Sequence, residues 1–232
     1  SISSILPQLI GGSADLSGSN NTKTSNSKII NSKNFDGNYI HYGVREHGMS
    51  AIMNGLALYG GLIPYGGTFL IFSDYSKPSI RLSALMGLKV IYIFSHDSIG
   101  LGEDGPTHQP IEQLTGLRAI PNLNVFRPAD MNETLECWEL ALKNHNTPSA
   151  IALSRQKVPY INQNNTKENK CEKGAYVVKI TSHENNLTII ASGTEVELAL
   201  RVQEKLKENN IHSKVVSMPC MELFDKQPDV YR

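Results

Sequence analysis

The sequence predicts an α/β protein, with a mostly parallel sheet and helices on both its faces, followed by the beginning of a second α/β domain. Three observations carry this reading. Short apolar runs alternate with segments of helical period along most of the chain. The run Val90-Ile91-Tyr92-Ile93-Phe94 is apolar throughout, as in a strand buried on both faces. The stretch from Ile161 to Lys173 has almost no apolar content, and the alternation resumes after it.

The elements follow in order. Ile10 to Asn34 is rich in Gly, Ser, Asn and Lys and reads as a long loop. Asn38 to Tyr42 is a short strand. Glu46 to Leu58 is a helix, with Met49, Ile52, Met53, Leu56 and Ala57 at helical spacing and Gly60-Gly61 as its stop. Leu62 to Tyr65 is a strand. Gly67 to Met86 has a roughly helical period, interrupted at Pro78. Lys89 to Phe94 is the apolar strand. Ile111 to Leu117 is a short helix and Leu123 to Phe126 a strand. Ala129 to Asn144 is a helix with Leu135, Trp138, Ala141 and Leu142 as its apolar positions, and Ala150 to Leu153 is a strand. Residues 161–173 form a linker that separates a first domain, 1–160, from an incomplete second one, 174–232. The second opens with strands Ala175 to Ile180 and Leu187 to Ala191, a helix from Thr194 to Lys207 and a strand from Lys214 to Met218. Thr194 with Glu197 fits a capping box.

Composition narrows the function classes. Lys+Arg and Asp+Glu both number 22, which argues against a nucleic-acid or anionic-membrane surface. No apolar run reaches membrane-spanning length. Cys137, Cys171 and Cys220 are an odd count in no ligand spacing, and point to a reduced, cytoplasmic setting. Ser1 is not an initiator methionine and Tyr231-Arg232 follows a Pro-Asp turn, so the expectation is a piece of a longer protein.

The most informative segment is Phe94 to Pro110. It follows the apolar strand and crowds His96, Asp97, Glu103, Asp104 and His108 among three glycines. Ligands of open parallel sheets bind beyond the carboxyl ends of the strands, so this reads as a substrate loop. A metal held by His96 and His108 has no compact zinc spacing to support it. Glu46, in Gly43-Val44-Arg45-Glu46-His47-Gly48-Met49, admits two readings: an acid favourable at a helix N-terminus, or a working carboxylate. Phe69, Phe72 and Tyr75 fall three apart and would form one arc on a helix, either as core or as a slot for a flat ring. Gly11 to Asn20 is a small-residue loop with neither a dinucleotide fingerprint nor a P-loop. Any phosphate would therefore be held by side chains. Arg155, after the Ala150–Leu153 strand, suits that task, though a surface ion pair would explain it equally.

In this order the motifs resemble transketolase, its pyrimidine-binding domain followed by the first part of its C-terminal domain. The resemblance rests on Gly-Gly-Ser-Ala-Asp-Leu, Gly-Val-Arg-Glu-His-Gly-Met, Thr-Phe-Leu-Ile-Phe-Ser-Asp-Tyr, the His96–Pro110 loop, Arg-Pro-Ala-Asp and Leu-Ser-Arg-Gln. It implies the thiamine-diphosphate-binding fold and transfer of a two-carbon ketol unit from a ketose phosphate to an aldose phosphate, in the pentose phosphate pathway. It implies that Glu46 bonds N1′ of the aminopyrimidine, that Phe69, Phe72 and Tyr75 line its pocket, and that Asp15 lies near the thiamine. It further implies that Ser19, His96 and Arg155 hold the sugar phosphate, while Asp104 and His108 read the donor's C2 and C1 hydroxyls, His108 also acting in catalysis. The Mg²⁺ or Ca²⁺ bridging the cofactor diphosphate would be held by a diphosphate-binding domain outside this sequence, supplied by a second subunit of a homodimer. Gly18 stands where the family commonly has proline, which implies a looser loop around Ser19. A dihydroxyacetone synthase, a split transketolase, or a non-catalytic subunit lacking the diphosphate domain would share these motifs.

Overall fold

The computed structural model describes residues 2–161, 168–182 and 187–232. In chain order the first elements are α1 (Ile2–Ile5), β1 (Leu9–Ser13), α2 (Ser17–Asn20), β2 (Tyr39–His41), α3 (Glu46–Tyr59) and β3 (Ile63–Phe69). A 3-10 turn (Leu70–Phe72), α4 (Ser73–Leu85), β4 (Ile91–Ser95) and a second 3-10 turn (Ile99–Leu101) follow. Then come α5 (Gln113–Arg118), β5 (Asn124–Phe126), α6 (Met131–Lys143) and β6 (Ser149–Leu153). A third 3-10 turn (Lys170–Lys173) leads to β7 (Tyr176–Ile180), β8 (Leu187–Ala191), α7 (Glu195–Glu208), β9 (Ser213–Ser217) and α8 (Met221–Phe224). The chain forms two compact units: Ser1–Leu123 with Asn144–Arg155, and Asn124–Lys143 with Gln156–Arg232.

In the first unit the sheet runs β2-β1-β3-β4-β6, and these pairings are all parallel. Its inner strand β4 is buried at every residue, as its unbroken apolar run requires. Successive side chains of a strand point to opposite faces. On β3 this is seen directly, because a Cβ on Gly66 would meet the sulfur atoms of Met53 and Met49 of α3, whereas one on Gly67 would meet Thr22 and Asn20. Thus α3 covers one face, and the chain around α2 covers the other.

All of strand β1 but Leu9 lies inside the segment expected to be a loop, Ile10 to Asn34. Its Leu-Ile-Gly-Gly-Ser composition hides it, and close packing explains the glycines. A Cβ on Gly11 would stand 2.1 Å from Cζ of Tyr65, and one on Gly12 would stand 2.2 Å from Cε2 of Tyr42. The expected helix from Gly67 is also corrected. Strand β3 runs on through Phe69, a 3-10 turn carries Phe72, and the helix begins only at Ser73, so the three aromatics do not share one helix.

Pro78 lies within α4 rather than ending it, and the helix's buried face is largely serine: Ser73, Ser76, Ser79 and Ser83 with Ile80 and Ala84. Small polar side chains let α4 come close to α3, where they bond rather than interdigitate. Ser83 Oγ lies 2.5 Å from Asn54 Oδ1 and 2.6 Å from the Tyr92 hydroxyl, and Asn54 Nδ2 donates to the carbonyl of Ser79 at 2.9 Å. Buried polar groups joined in this way fix one helix pairing.

In the second unit β7-β9-β8 form a small sheet, with β7 antiparallel and β8 parallel to β9. The buried face of α6 is Glu133, Cys137 and Ala141, while the expected core residue Leu135 is exposed. Glu133 carries the correction: Oε1 accepts from Ser217 at 2.5 Å and Tyr176 at 2.8 Å, and Oε2 from the Ala129 amide at 2.7 Å. Burial pushes its carboxyl above the usual range, against the pull of these donors. The capping box at Thr194 does not form. Thr194 makes no side-chain cap and its hydroxyl faces Glu195, while Glu197 pairs with Arg201. Of the expected linker, residues 162–167 lie outside the described residues, and Lys170–Lys173 form the 3-10 turn that buries Cys171. All three cysteines are buried and free. Among the described residues no helix is long and apolar enough to cross a membrane.

Candidate functional site

Parallel strands end on a common edge, and the register says which residues meet there. Ser13 lies beside His41 and Gly67, Phe69 beside Ser95, and Ser95 beside Leu153. Asp15, Glu46, Phe69, Phe72, His96 and Arg155 therefore all leave the same carboxyl edge of the first unit. Two of the strand exits are strained. Asp15 (φ 62) and His96 (φ 61) both take the left-handed conformation, which costs a non-glycine residue roughly 1–2 kcal/mol. Such strain persists where the surroundings over-determine a side chain's direction, and it gathers at functional sites.

His96 is held firmly. Its ring stacks on Phe69 with centroids 3.7 Å apart, and Nδ1 lies 3.0 Å from Ser95 Oγ. Burial lowers its pKa from the ordinary 6.5, and the Arg155 charge lowers it further; Asp104 and Asp97 pull the other way, and His108 adds a lowering contribution. With Nδ1 turned to Ser95, Nε2 is the nitrogen left for a ligand. Phe72 lies parallel to Phe69 at 5.8 Å, and Tyr75 stacks on Phe72 at 6.0 Å. His108 meets Phe72 edge-on at 5.3 Å and Phe69 at 6.2 Å, while its Nδ1 lies 2.9 Å from Thr107 Oγ1. Left-handed or otherwise open glycines at 102 (φ 113) and 105 (φ 80) let this loop fold back. A Cβ on Gly102 would stand 3.9 Å from the Arg155 guanidinium, so Arg155 borders the same loop.

The structure thus brings Phe69, Phe72, Tyr75, His96 and His108 into one ring cluster, with Asp104 and Arg155 close enough to act on His96. Asp104, Arg155 and Tyr75 are exposed and free to meet a ligand. Asp15 and Ser19 are exposed on the segment after β1, and Glu46 is the first residue of α3. These three share the edge, but no hydrogen bond among the described residues joins them to the ring cluster. Glu46 is only 9 % exposed as a residue, no described residue hydrogen-bonds its carboxylate, and its oxygens are not among the described side-chain atoms closed off from solvent. The carboxylate therefore opens onto the edge from an otherwise buried residue, where a ligand can reach it. Among the described residues no three His, Cys, Asp or Glu side chains are grouped to hold a metal.

Two further residues at this edge, Asp97 and Gln113, are not among the cofactor or substrate contacts that the resemblance implies. Asp97 is buried and its charge acts on His96. Gln113 ties the end of the loop to α4, donating to Asp74 at 2.9 Å and accepting from the Ile111 amide at 2.9 Å. The aspartate was visible as part of the acidic crowd. Gln113 carried no signal, since its partner is remote in sequence.

Fold and edge together define an α/β protein of the parallel-sheet class, with a ligand site of stacked rings and imidazoles beyond its strand ends. Residues 2–160 match the family model described as transketolase, pyrimidine binding domain, and residues 174–232 match that of the transketolase-like C-terminal domain. The chain belongs to the transketolase family. A transketolase of Sinorhizobium medicae is 60% identical over 224 residues, 96% of this chain and 32% of that protein. A Pichia stipitis transketolase variant, solved in complex with fructose 6-phosphate, is 44% identical, with a TM-score of 0.93 over 97% of this chain and 34% of that one. A split-gene transketolase, solved as an inactive β4 tetramer, is 29% identical, with a TM-score of 0.75 over 94% of this chain and 67% of that one. The chain therefore spans about a third of the length of the curated relatives it matches.

Proposed function

We propose that this chain supplies the pyrimidine half of a thiamine diphosphate site, and the substrate contacts around it, in an enzyme that moves a two-carbon ketol unit between sugar phosphates. The observation that carries this reading is the Glu46 carboxylate, open to a ligand and without a partner among the described residues, on the same sheet edge as the ring cluster. When bound, the cofactor supplies a carbon nucleophile and an electron sink. The chain's own residues do the rest. Glu46 holds a proton at the pyrimidine's ring nitrogen and Phe69, Phe72 and Tyr75 exclude water from the ring's face, with Asp15 close to the thiamine. His96, with its depressed pKa, is neutral at pH 7 and accepts or donates a hydrogen bond without adding charge. Arg155 supplies the charge for a phosphate, with Ser19 as a further donor. Asp104 and His108 orient the donor's hydroxyls.

The diphosphate and its Mg²⁺ or Ca²⁺ would be held by a portion outside this sequence, contributed by a second subunit of a homodimer. The match to a split-gene chain favours a second arrangement, in which that portion is a separate polypeptide. We further read residues 1–160 as the pyrimidine half, 161–173 as the connection and 174–232 as the opening of the C-terminal domain; the extents of the two family matches support this division. Three free, buried thiols support a reducing, cytoplasmic setting.

The test is Glu46→Gln in the assembled enzyme. Removing a positioned general acid–base group lowers the rate by on the order of 10²–10⁴. A helix-terminal acid with no catalytic part would instead change stability by about 0.3–1 kcal/mol and leave turnover near normal, and that result would overturn the proposal.

A further inference from the structure

We infer that Tyr39 is a positioning residue for the substrate, holding in place the loop that carries Ser19. Tyr39, on β2, is fully buried, and its hydroxyl is the hub of a polar chain. Thr22 Oγ1 lies 2.8 Å from the Tyr39 oxygen, and the Tyr39 hydroxyl donates to Ser17 Oγ at 2.8 Å. With a single proton given to Ser17, Tyr39 accepts from Thr22. Ser17 Oγ in turn lies 3.4 Å from His41 Nδ1 at the end of β2. Tyr65, on β3, grips the same loop from its other side, donating to the Thr22 carbonyl at 2.9 Å.

The sheet beneath is made to receive this loop. Gly11 stands between the two tyrosines in the register, with Tyr39 beside it on β2. A Cβ on Gly67 would lie 2.6 Å from Thr22 Cγ2 and 3.0 Å from Asn20 Nδ2, so the loop rests on bare backbone. Asn20 is itself buried, but its amide has no partner among the described residues and contributes nothing to holding the loop. Between the two anchored residues lies α2, where the Ser19 and Asn20 amides donate to the Leu16 carbonyl. Tyr39 therefore bonds both Ser17 and Thr22, the residues that bracket Ser19. A loop left unpinned would present Ser19 in many positions, and a misplaced contact weakens binding of the group it should meet.

The substrate part of this inference rests on the role proposed above for Ser19, so the experiment has two arms. In the assembled enzyme, Tyr39→Phe removes the hydroxyl and keeps the ring. Backbone amides of residues 16–22 should exchange with deuterium about tenfold faster, while those of β4 keep their protection. Thr22→Val, of similar shape, should do the same through the other partner. Unchanged exchange in both variants would overturn the inference. In the second arm, Tyr39→Phe should raise KM for a phosphorylated ketose donor about tenfold and leave kcat, and the use of hydroxypyruvate, nearly as they were. A loss shared equally by both donors would mean a general structural role, and would overturn it too. Ser19→Ala is the control that separates the two claims. If it raises the same KM but Tyr39→Phe does not, positioning by Tyr39 is refuted. If Ser19→Ala changes nothing, the assignment of Ser19 and the substrate part of this inference fall together, and the exchange arm still decides whether Tyr39 holds the loop.

Discussion

Gly11→Ala tests the packing on which the whole edge depends. A methyl group there would stand 2.1 Å from Tyr65 Cζ, 2.2 Å from its hydroxyl oxygen and 2.5 Å from Cε1. The backbone of Gly11 is not left-handed, so conformation alone does not forbid alanine. The obstacle is the ring. Tyr65 is buried and its hydroxyl is tied to the Thr22 carbonyl, so it has little room to move. Overfilling a packed core costs about 1–3 kcal/mol. Displacing the ring also breaks the bond to Thr22, worth about 1 kcal/mol. The expected destabilisation is therefore roughly 2–4 kcal/mol. The assay is urea denaturation followed by near-ultraviolet circular dichroism, with Tyr65→Ala and the double variant alongside. Once the ring is gone, alanine at position 11 should be neutral or should stabilise by up to about 1 kcal/mol, because glycine is the poorer strand residue. The effect thus changes sign between the two backgrounds. A cost below about 0.5 kcal/mol in the native background, or the same cost in both, would refute the reasoning.

Two further predictions concern His96 and its neighbour. His96 should titrate below 6.5 when followed by NMR. The unfolded chain then binds more protons than the folded one between the two values, so the stability linked to His96 is whole above pH 6.5 and is lost as pH falls through the folded value. Removing Arg155 should move that titration upward, since its charge is one cause of the depression; no movement would mean that the two side chains do not sense each other. Arg155→Ala should also raise KM for phosphorylated sugars by roughly ten- to a hundredfold while sparing hydroxypyruvate, because a charge-assisted contact remote from the broken bond is lost. Equal losses with both donors would assign Arg155 to the fold instead.

The sequence disclosed those parts of the molecule whose signals are local. Strand β4 announces itself by its apolar run, α3 by its period, and the substrate loop by a density of acids and histidines that no plain connection needs. What stayed hidden depends on neighbours distant in the chain. Strand β1 looks like a loop because its glycines answer to Tyr42 and Tyr65, which lie far along the sequence. The serine face of α4 looks solvated until α3 and the Tyr92 hydroxyl are placed against it. The inward face of α6 looks wrong by hydropathy, because a buried glutamate satisfied by Ser217 and Tyr176 outranks Leu135. In each case the hydrophobic period is the weaker term, and a specific close contact or hydrogen bond decides the orientation.

The same rule explains why the site itself was legible residue by residue but not as an arrangement. Phe69, Phe72 and Tyr75 were singled out for a helical spacing they do not use. The rings nevertheless end up stacked, because the strand-to-turn-to-helix path advances them along one wall in steps of 5.8 and 6.0 Å. His96 was singled out for its loop, yet what fixes it is the face of Phe69, whose side chain points to the sheet face opposite Met49 and Met53. That is the face on which Gly67 makes room for the loop of Ser19. One strand, β3, therefore sets two parts of the site at once. Its glycine admits the loop of Ser19 and its terminal phenylalanine orients His96, two residues apart and on the same side. A one-residue slip of β3 against β4 would turn Phe69 toward α3 and remove both supports together. The parallel register of β3 is thus as much a part of the candidate site as any side chain in it.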